Sequence, residues 1–176
     1  HEHRDHAAGL DDIRPFNFRQ QGAIPVFLHQ RVFKSFQKQF DYIFQPVPYP
    51  GIPEIDWHLI DETFNTPANH TVHTVSVMHF KLPVLGFVFN KFAYITDANF
   101  ISESEKEKLK GMDVLVLNAL RREAHISHFT LDEAVARNRI RAGRGAGIDA
   151  VVVGLVAVEV DAEREVGEIA AAVVDV

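Results

Sequence analysis

Six consecutive residues, His1-Glu2-His3-Arg4-Asp5-His6, constrain what this chain can fold into more than any other stretch. Four of the six, His1, His3, Asp5 and His6, stand at the metal-ligand spacing H-x-H-x-D-H. Alternate side chains of an extended segment share a face, so His1 and His3 can close on one cation. Asp5 and His6, after a turn, can aim at a second. Imidazole with carboxylate suits Zn, Mn or Fe, and two neighbouring cations can activate water near neutral pH. A purification tag would be poly-His or would lead into a linker, whereas this run passes directly into Ala7-Ala8-Gly9-Leu10. One hexapeptide cannot enclose two cations. The fold must therefore bring further ligands to it from distant segments.

Composition narrows the class. At 176 residues the chain is long enough for one domain with a real core. A formal net charge of -6 argues against a broad nucleic-acid or anionic-membrane surface. The chain has no cysteine, which excludes a disulfide framework, a thiolate metal site and a Cys nucleophile. No apolar run approaches the roughly 18–20 residues of a membrane span. A cytoplasmic protein is the default expectation.

Along the chain, residues 7–14 read as a short helix stopped by Pro15, and Ile24 to Leu28 as a strand. Val32, Phe33, Phe36, Phe40 and Ile43 recur at three- and four-residue steps, which predicts a helix over 30–43. Pro46, Pro48, Pro50, Gly51 and Pro53 then rule out regular structure. Trp57–Ile60 and Thr71–Met78 read as strands, the second with Val75 and Val77 on the face of His79. Val84–Phe89 and Phe92–Thr96 predict a hairpin across Asn90-Lys91. Ser102 with Glu105, and Thr130 with Glu133, have the spacing of capping boxes. Met112 to Asn118 reads as a buried strand.

The opening hexapeptide, with Val77-Met78-His79-Phe80-Lys81, Tyr94-Ile95-Thr96-Asp97-Ala98-Asn99 and His125-Ile126-Ser127-His128-Phe129-Thr130 in that order, resembles the metallo-β-lactamase superfamily. More narrowly, it is similar to the branch of phosphoribosyl 1,2-cyclic phosphate phosphodiesterases. The resemblance implies an α/β (α+β) chain with the αβ/βα sandwich fold and two divalent metal ions, Zn or Mn, with Fe also admissible. It implies that His1, His3 and His79 bind one ion, Asp5 and His6 the other, and that Asp97 bridges both. Asp5 would also orient the nucleophile, a metal-bridging hydroxide. His128 would stand beside the substrate phosphate and serve the leaving group, with His125 the weaker candidate there. Arg14 either receives an anionic substrate or, with Asp11 and Asp12, orients the ligands. In the family the motif follows a buried strand, so the chain reads as N-terminally truncated, lacking about the first third of the domain.

The resemblance covers residues 1–134, read as a partial metallo-hydrolase domain. Residues 135–176 differ in kind: all 14 Phe precede them, and they contain no aromatic residue, proline, histidine or lysine. This Ala/Val-rich tail reads as a divergent or frameshifted end. The family's second metal takes one more His from a later strand. No histidine follows His128 here, and Gly154 stands near the expected place. His29, His58, His70 and His73 match no ligand spacing and read as surface or satisfied residues. Arg121 and Arg122 either bind phosphate or are exposed basic residues.

The expected activity is hydrolysis of a small, cyclic phosphodiester. The alternatives are a catalytically impaired fragment or degenerate copy and, less favoured by the acidic balance, a nuclease of the same superfamily. The expected partner is a small phosphorylated substrate rather than nucleic acid or membrane, with a homodimer allowed.

Overall fold

Hydrophobic periodicity accounts for most of the elements in the computed structural model, which describes residues 1–46, 50–141 and 150–154. The chain divides into two compact units, His1–Asn69 and a second beginning at His70.

In the first unit, helix α1 (Arg4–Ala7) follows the extended His1–His3 segment, and a 3-10 turn, Ala8–Ile13, leads into α2 (Arg14–Gln20). Pro15 therefore opens a helix instead of stopping one. Its ring fixes φ near the helical value, and the N–H it lacks has no intrahelical acceptor in a first turn. Strand β1 (Ile24–Leu28) pairs in parallel with β2 (Ile55–Leu59), Ile24 against Ile55 through Leu28 against Leu59. Helix α3 (Gln30–Gln39) buries Val32 and Phe36 and ends at Phe40, before a 3-10 turn over Asp41–Phe44. The predicted helix over 30–43 thus stops early. Ala7, Leu28, Val32 and Phe36 form the core, with Leu10, Val26, Phe33, Phe40 and Trp57 packed against it. A short strand, β3 (Thr63–Asn65), had no signal in the sequence.

Two polar arrangements tie this unit together. The Asn17 side-chain amide donates to the carbonyls of Gly22 (3.0 Å) and Glu54 (2.7 Å), and its oxygen accepts from the Glu54 amide at 3.1 Å. This buried residue has its hydrogen-bonding capacity met, as burial requires. The Tyr42 hydroxyl donates to Asp11 at 2.6 Å, while Arg14 holds the other Asp11 oxygen at 3.3 Å. Burial first, and then the Asp11 carboxylate, push the Tyr42 phenol up to about 12.

The second unit is a sheet with helices. β4 (Thr71–His79) and β5 (Leu82–Phe89) form an antiparallel pair from His73–Val88 to His79–Leu82. β5 pairs antiparallel with β6 (Phe92–Ile95), and the short β7 (Phe100–Ile101) pairs with β4. After α4 (Glu103–Glu107), β8 (Val114–Asn118) lies parallel to β6. After α5 (Leu131–Arg141), β9 (Ala150–Gly154) lies parallel to β8, Asn118 opposite Gly154. Val75, Val77, Ile95, Leu117 and Phe129 are its largest fully buried side chains, in one core with Val84, Val88 and Leu115. Val75, Val77 and His79 are all buried, as their expected common face requires.

The two capping boxes differ. At α5, Glu133 N–H donates to Thr130 Oγ1 (3.2 Å) and Thr130 N–H to Glu133 Oε2 (2.9 Å), so the box is complete. At α4 only half forms: Glu105 N–H donates to Ser102 Oγ at 3.3 Å. The Glu105 carboxylate instead accepts from the Ser76 amide of β4 at 2.8 Å, a partner 29 positions away. Residues 142–149 and 155–176 lie outside the described residues, and with them most of the predicted Ala/Val-rich tail and the end of its expected strand. No helix among the described residues is long and apolar enough to cross a membrane.

Gly86 of β5 faces the core with no room for a side chain. A Cβ there would lie 2.6 Å from Ile95 Cγ1 and 3.1 Å from the Tyr94 carbonyl. Gly86→Ala is expected to lower the unfolding free energy by about 1–3 kcal/mol through overpacking, measurable by urea denaturation. For Tyr42 the folded state keeps a proton that an unfolded tyrosine releases near pH 10. Its contribution to stability is complete below pH 10 and is lost as pH rises towards about 12. Tyr42→Phe should remove from the ultraviolet spectrum a tyrosinate signal that grows in towards about pH 12, and flatten the alkaline fall in stability.

Candidate metal centre

The ligand-type residues gather at two places, one in each unit. In the first unit the opening segment is extended to His3, whose backbone (φ -64, ψ 148) enters α1 without a side-chain cap. The imidazoles of His1, His3 and His6 cluster, with ring centroids 4.5 Å apart for His1–His3 and 4.2 Å for His1–His6. His1 and His3 each offer a ligand atom within 4.8 Å of the other's, and so do Asp5 and His6. Glu2 points elsewhere: its carboxylate meets Arg31 at 3.3 Å, and Gln39 of α3 donates to its carbonyl at 3.2 Å. Alternation along the extended segment thus sends the histidines to one side and the glutamate to the other.

In the second unit the site lies where β4, β6 and β8 end. His79, 8% exposed, closes β4. Its Nδ1 lies 3.0 Å from the Ser127 carbonyl, and a carbonyl can only accept. Nδ1 therefore carries the proton and Nε2 the lone pair. An imidazole that binds metal through Nε2 needs that tautomer, held by a carbonyl on the nitrogen away from the metal.

Asp97 follows β6 with φ +49, in the left-handed region that Asp tolerates better than most residues. Two asparagines fix this turn. Asn118, at the end of β8, accepts from the Ala98 amide (2.8 Å) and donates to the Ala98 carbonyl (3.0 Å). Asn99 accepts from the Phe80 amide at 2.8 Å and donates to the Ile126 carbonyl at 3.0 Å. The sequence signal for both was weak, because each acts through backbone groups 19 to 27 positions away. Asp97 and His79 each present a ligand atom within 4.8 Å of the other's.

His128 completes the cluster. Its Nε2 lies 3.2 Å from Asp97 Oδ1, and its ring meets His79 edge-on at 4.7 Å. A carboxylate accepts, so Nε2–H donates. Nδ1 then receives the Ser127 hydroxyl at 3.0 Å, with His125 Nδ1 3.1 Å away. Burial holds the His128 pKa below the usual imidazole value, against the opposing pull of Asp97. Among the other candidates, Arg14 is engaged with Asp11, and Arg121 donates to the Ala124 carbonyl at 2.9 Å. His29 caps α3 by accepting from the Arg31 amide at 3.2 Å, and His58 pairs with Asp56 at 2.8 Å.

The donor chemistry fits divalent cations. Imidazole nitrogens and carboxylate oxygens stand in close pairs, and the His79 tautomer directs its lone pair away from the Ser127 carbonyl. Asn118→Ala removes both hydrogen bonds around Ala98, and is expected to cost about 1–3 kcal/mol of stability, measurable by urea denaturation at neutral pH.

Residues 1–152 match the family model of the beta-lactamase superfamily domain. Over 138 residues the chain is 36% identical to the octanoyltransferase of Porphyromonas gingivalis, a match covering 77% of this chain and 27% of that protein. A diphosphatase of the PhnP family is 27% identical in sequence and superposes with a TM-score of 0.74, over 87% of this chain and 56% of that one. The metallo-β-lactamase fold protein YhfI of Bacillus subtilis shares 19% identity with a TM-score of 0.60, over 87% of this chain and 61% of that one. The chain thus spans about a quarter of the curated relative and little more than half of the diphosphatase. With the family match over nearly all of its described residues, the chain belongs to the metallo-β-lactamase fold superfamily.

Proposed function

We propose that this chain is the metal-binding part of a hydrolase that cleaves a small phosphodiester, with two divalent ions as cofactors. The observation that carries the reading is the His79 tautomer, set by the Ser127 carbonyl beside Asp97 and His128. His1, His3 and His79 would hold one Zn or Mn ion, Asp5 and His6 the other, with Asp97 shared. Bound there, the ions would supply Lewis-acid charge to water and to phosphoryl oxygens. Similarity to a diphosphatase supports chemistry at phosphorus. Acyl transfer has no such support, because the chain spans 27% of the octanoyltransferase.

The protein's own groups then have separate tasks. Asp5 accepts a hydrogen bond from the attacking water and directs its lone pair at phosphorus. The water oxygen–phosphorus bond forms as the bond to the leaving oxygen breaks. The proton that the water sheds would pass to Asp5. His128, whose Nε2–H rests on Asp97 here, would turn that N–H to the leaving oxygen while Ser127 holds the other ring nitrogen. Arg14, braced by Asp11, and His125 border the substrate in this reading.

One observation favours a second reading, a catalytically impaired relative. Gly154 ends β9 in register with Asn118, and glycine offers no ligand there for the second ion. Metal analysis with an activity assay on bis-p-nitrophenyl phosphate separates the two. Two equivalents of Zn or Mn with turnover are expected, a content lowered in His79→Ala. His128→Ala should keep its metal and lose roughly 10²–10⁴ in kcat, the usual range for a general acid. One equivalent or none, without turnover, supports the impaired copy and overturns the hydrolase reading.

A further inference from the structure

Phe80 stands where turn chemistry would choose glycine. Phe80 and Lys81 form the two-residue connection between β4 and β5, since His79 pairs directly with Leu82. Hairpins of this length place a residue at positive φ immediately after the first strand, and Phe80 has φ +57. For a bulky side chain this is a strained conformation, which persists only where the surroundings enforce it. Here the enforcement is the Asn99 side chain, which accepts the Phe80 amide at 2.8 Å, while the Asn99 amide donates to Met78 at 2.8 Å.

Stability gives no reason for the aromatic ring. It is 47% exposed, outside the core, and touched by the Lys81 ammonium 5.2 Å from its centroid. The ring does have a distinctive place. It follows His79 directly and shares Asn99 as a backbone anchor with Ile126, itself 65% exposed and next to Ser127. Phe100, paired with Met78 across β4 and β7, is 55% exposed on the same stretch. Two exposed apolar residues, Phe80 and Ile126, therefore hang on the anchor two positions after Asp97, while Phe100, paired with Met78, lies on the sheet face away from His79. A local rule broken at a site's edge points to function rather than to folding.

We infer that Phe80 is a specificity-determining residue: its ring supports a flat, apolar leaving group, an aryl or nucleobase-bearing alcohol, on the phosphodiester cleaved at this site. The inference rests on the hydrolase reading above. Stacking of this kind favours aromatic over small alkyl leaving groups by a modest factor, and acts on binding more than on the chemical step.

The test compares wild type, Phe80→Gly and Phe80→Ala, each loaded with Mn, on bis-p-nitrophenyl phosphate, which expels an aryl oxygen, and on ethylene phosphate, a cyclic diester that expels a plain alkyl oxygen and is followed by phosphorus NMR. Neither variant removes a proposed ligand. In Phe80→Gly and Phe80→Ala, KM for the bis-aryl ester should rise roughly 3- to 10-fold with kcat nearly unchanged, and KM for ethylene phosphate should stay within about twofold. Thermal melting supplies the independent readout. Phe80→Gly should melt at or above the wild-type temperature, because glycine adopts positive φ without strain. A Phe80→Gly protein that melts lower, or whose KM rises equally for both substrates, overturns the inference. Wild-type protein that binds metal but turns over neither substrate overturns the hydrolase reading itself.

Discussion

The hydrogen bond from His79 Nδ1 to the Ser127 carbonyl is the interaction on which the site depends. It decides which imidazole nitrogen carries the lone pair, and it joins the end of β4 to the segment that carries His128. Without it, His79 is one more polar residue at a strand end. With it, the ring is oriented, in one tautomer, and 4.7 Å from the His128 ring. The surrounding amides have the same purpose. Asn118 occupies the Ala98 amide and carbonyl in the turn after β6, and Asn99 ties that turn to the Phe80 amide and the Ile126 carbonyl, so that Asp97 keeps an unusual φ. The hydrophobic core beneath, from Val75 through Ile95 and Leu117 to Phe129, supplies the rigid floor on which these short bonds can be maintained.

Much of this was legible from residue type and spacing. Strand β4 could be read from alternating apolar residues, the β5–β6 hairpin from its Asn-Lys turn, and the start of α5 from Thr130 and Glu133. Each signal is local, within a few residues of its effect. The ligand-type residues stood out for a different reason: imidazoles and carboxylates at the ends of apolar strands are costly unless something meets them. Their resemblance to a known family then gave their order a meaning that spacing alone lacked.

What escaped sequence reasoning was non-local or conditional. Glu105 has the spacing of a capping residue, yet its carboxylate goes to the Ser76 amide, because β4 runs alongside and a strand amide competes for it. Pro15 can end a helix or begin one, and only the path of the preceding turn decides. Helix α3 stopped at Phe40 although the apolar period continued to Ile43, as the last turns tightened into a 3-10 turn around Trp57. Asn99, Asn118 and Ser127 work through main-chain partners far away in sequence, and no periodicity announces such bonds.

Central to all of this is a lone pair on His79 Nε2 available to a divalent cation. Nitrogen-15 NMR of the histidine side chains, recorded without metal and during titration with Zn, tests it most directly. The expected result is a His79 ring protonated at Nδ1, with an Nε2 resonance that moves as Zn is added. A ring protonated at Nε2, or one whose resonances stay in place at saturating Zn, would contradict it.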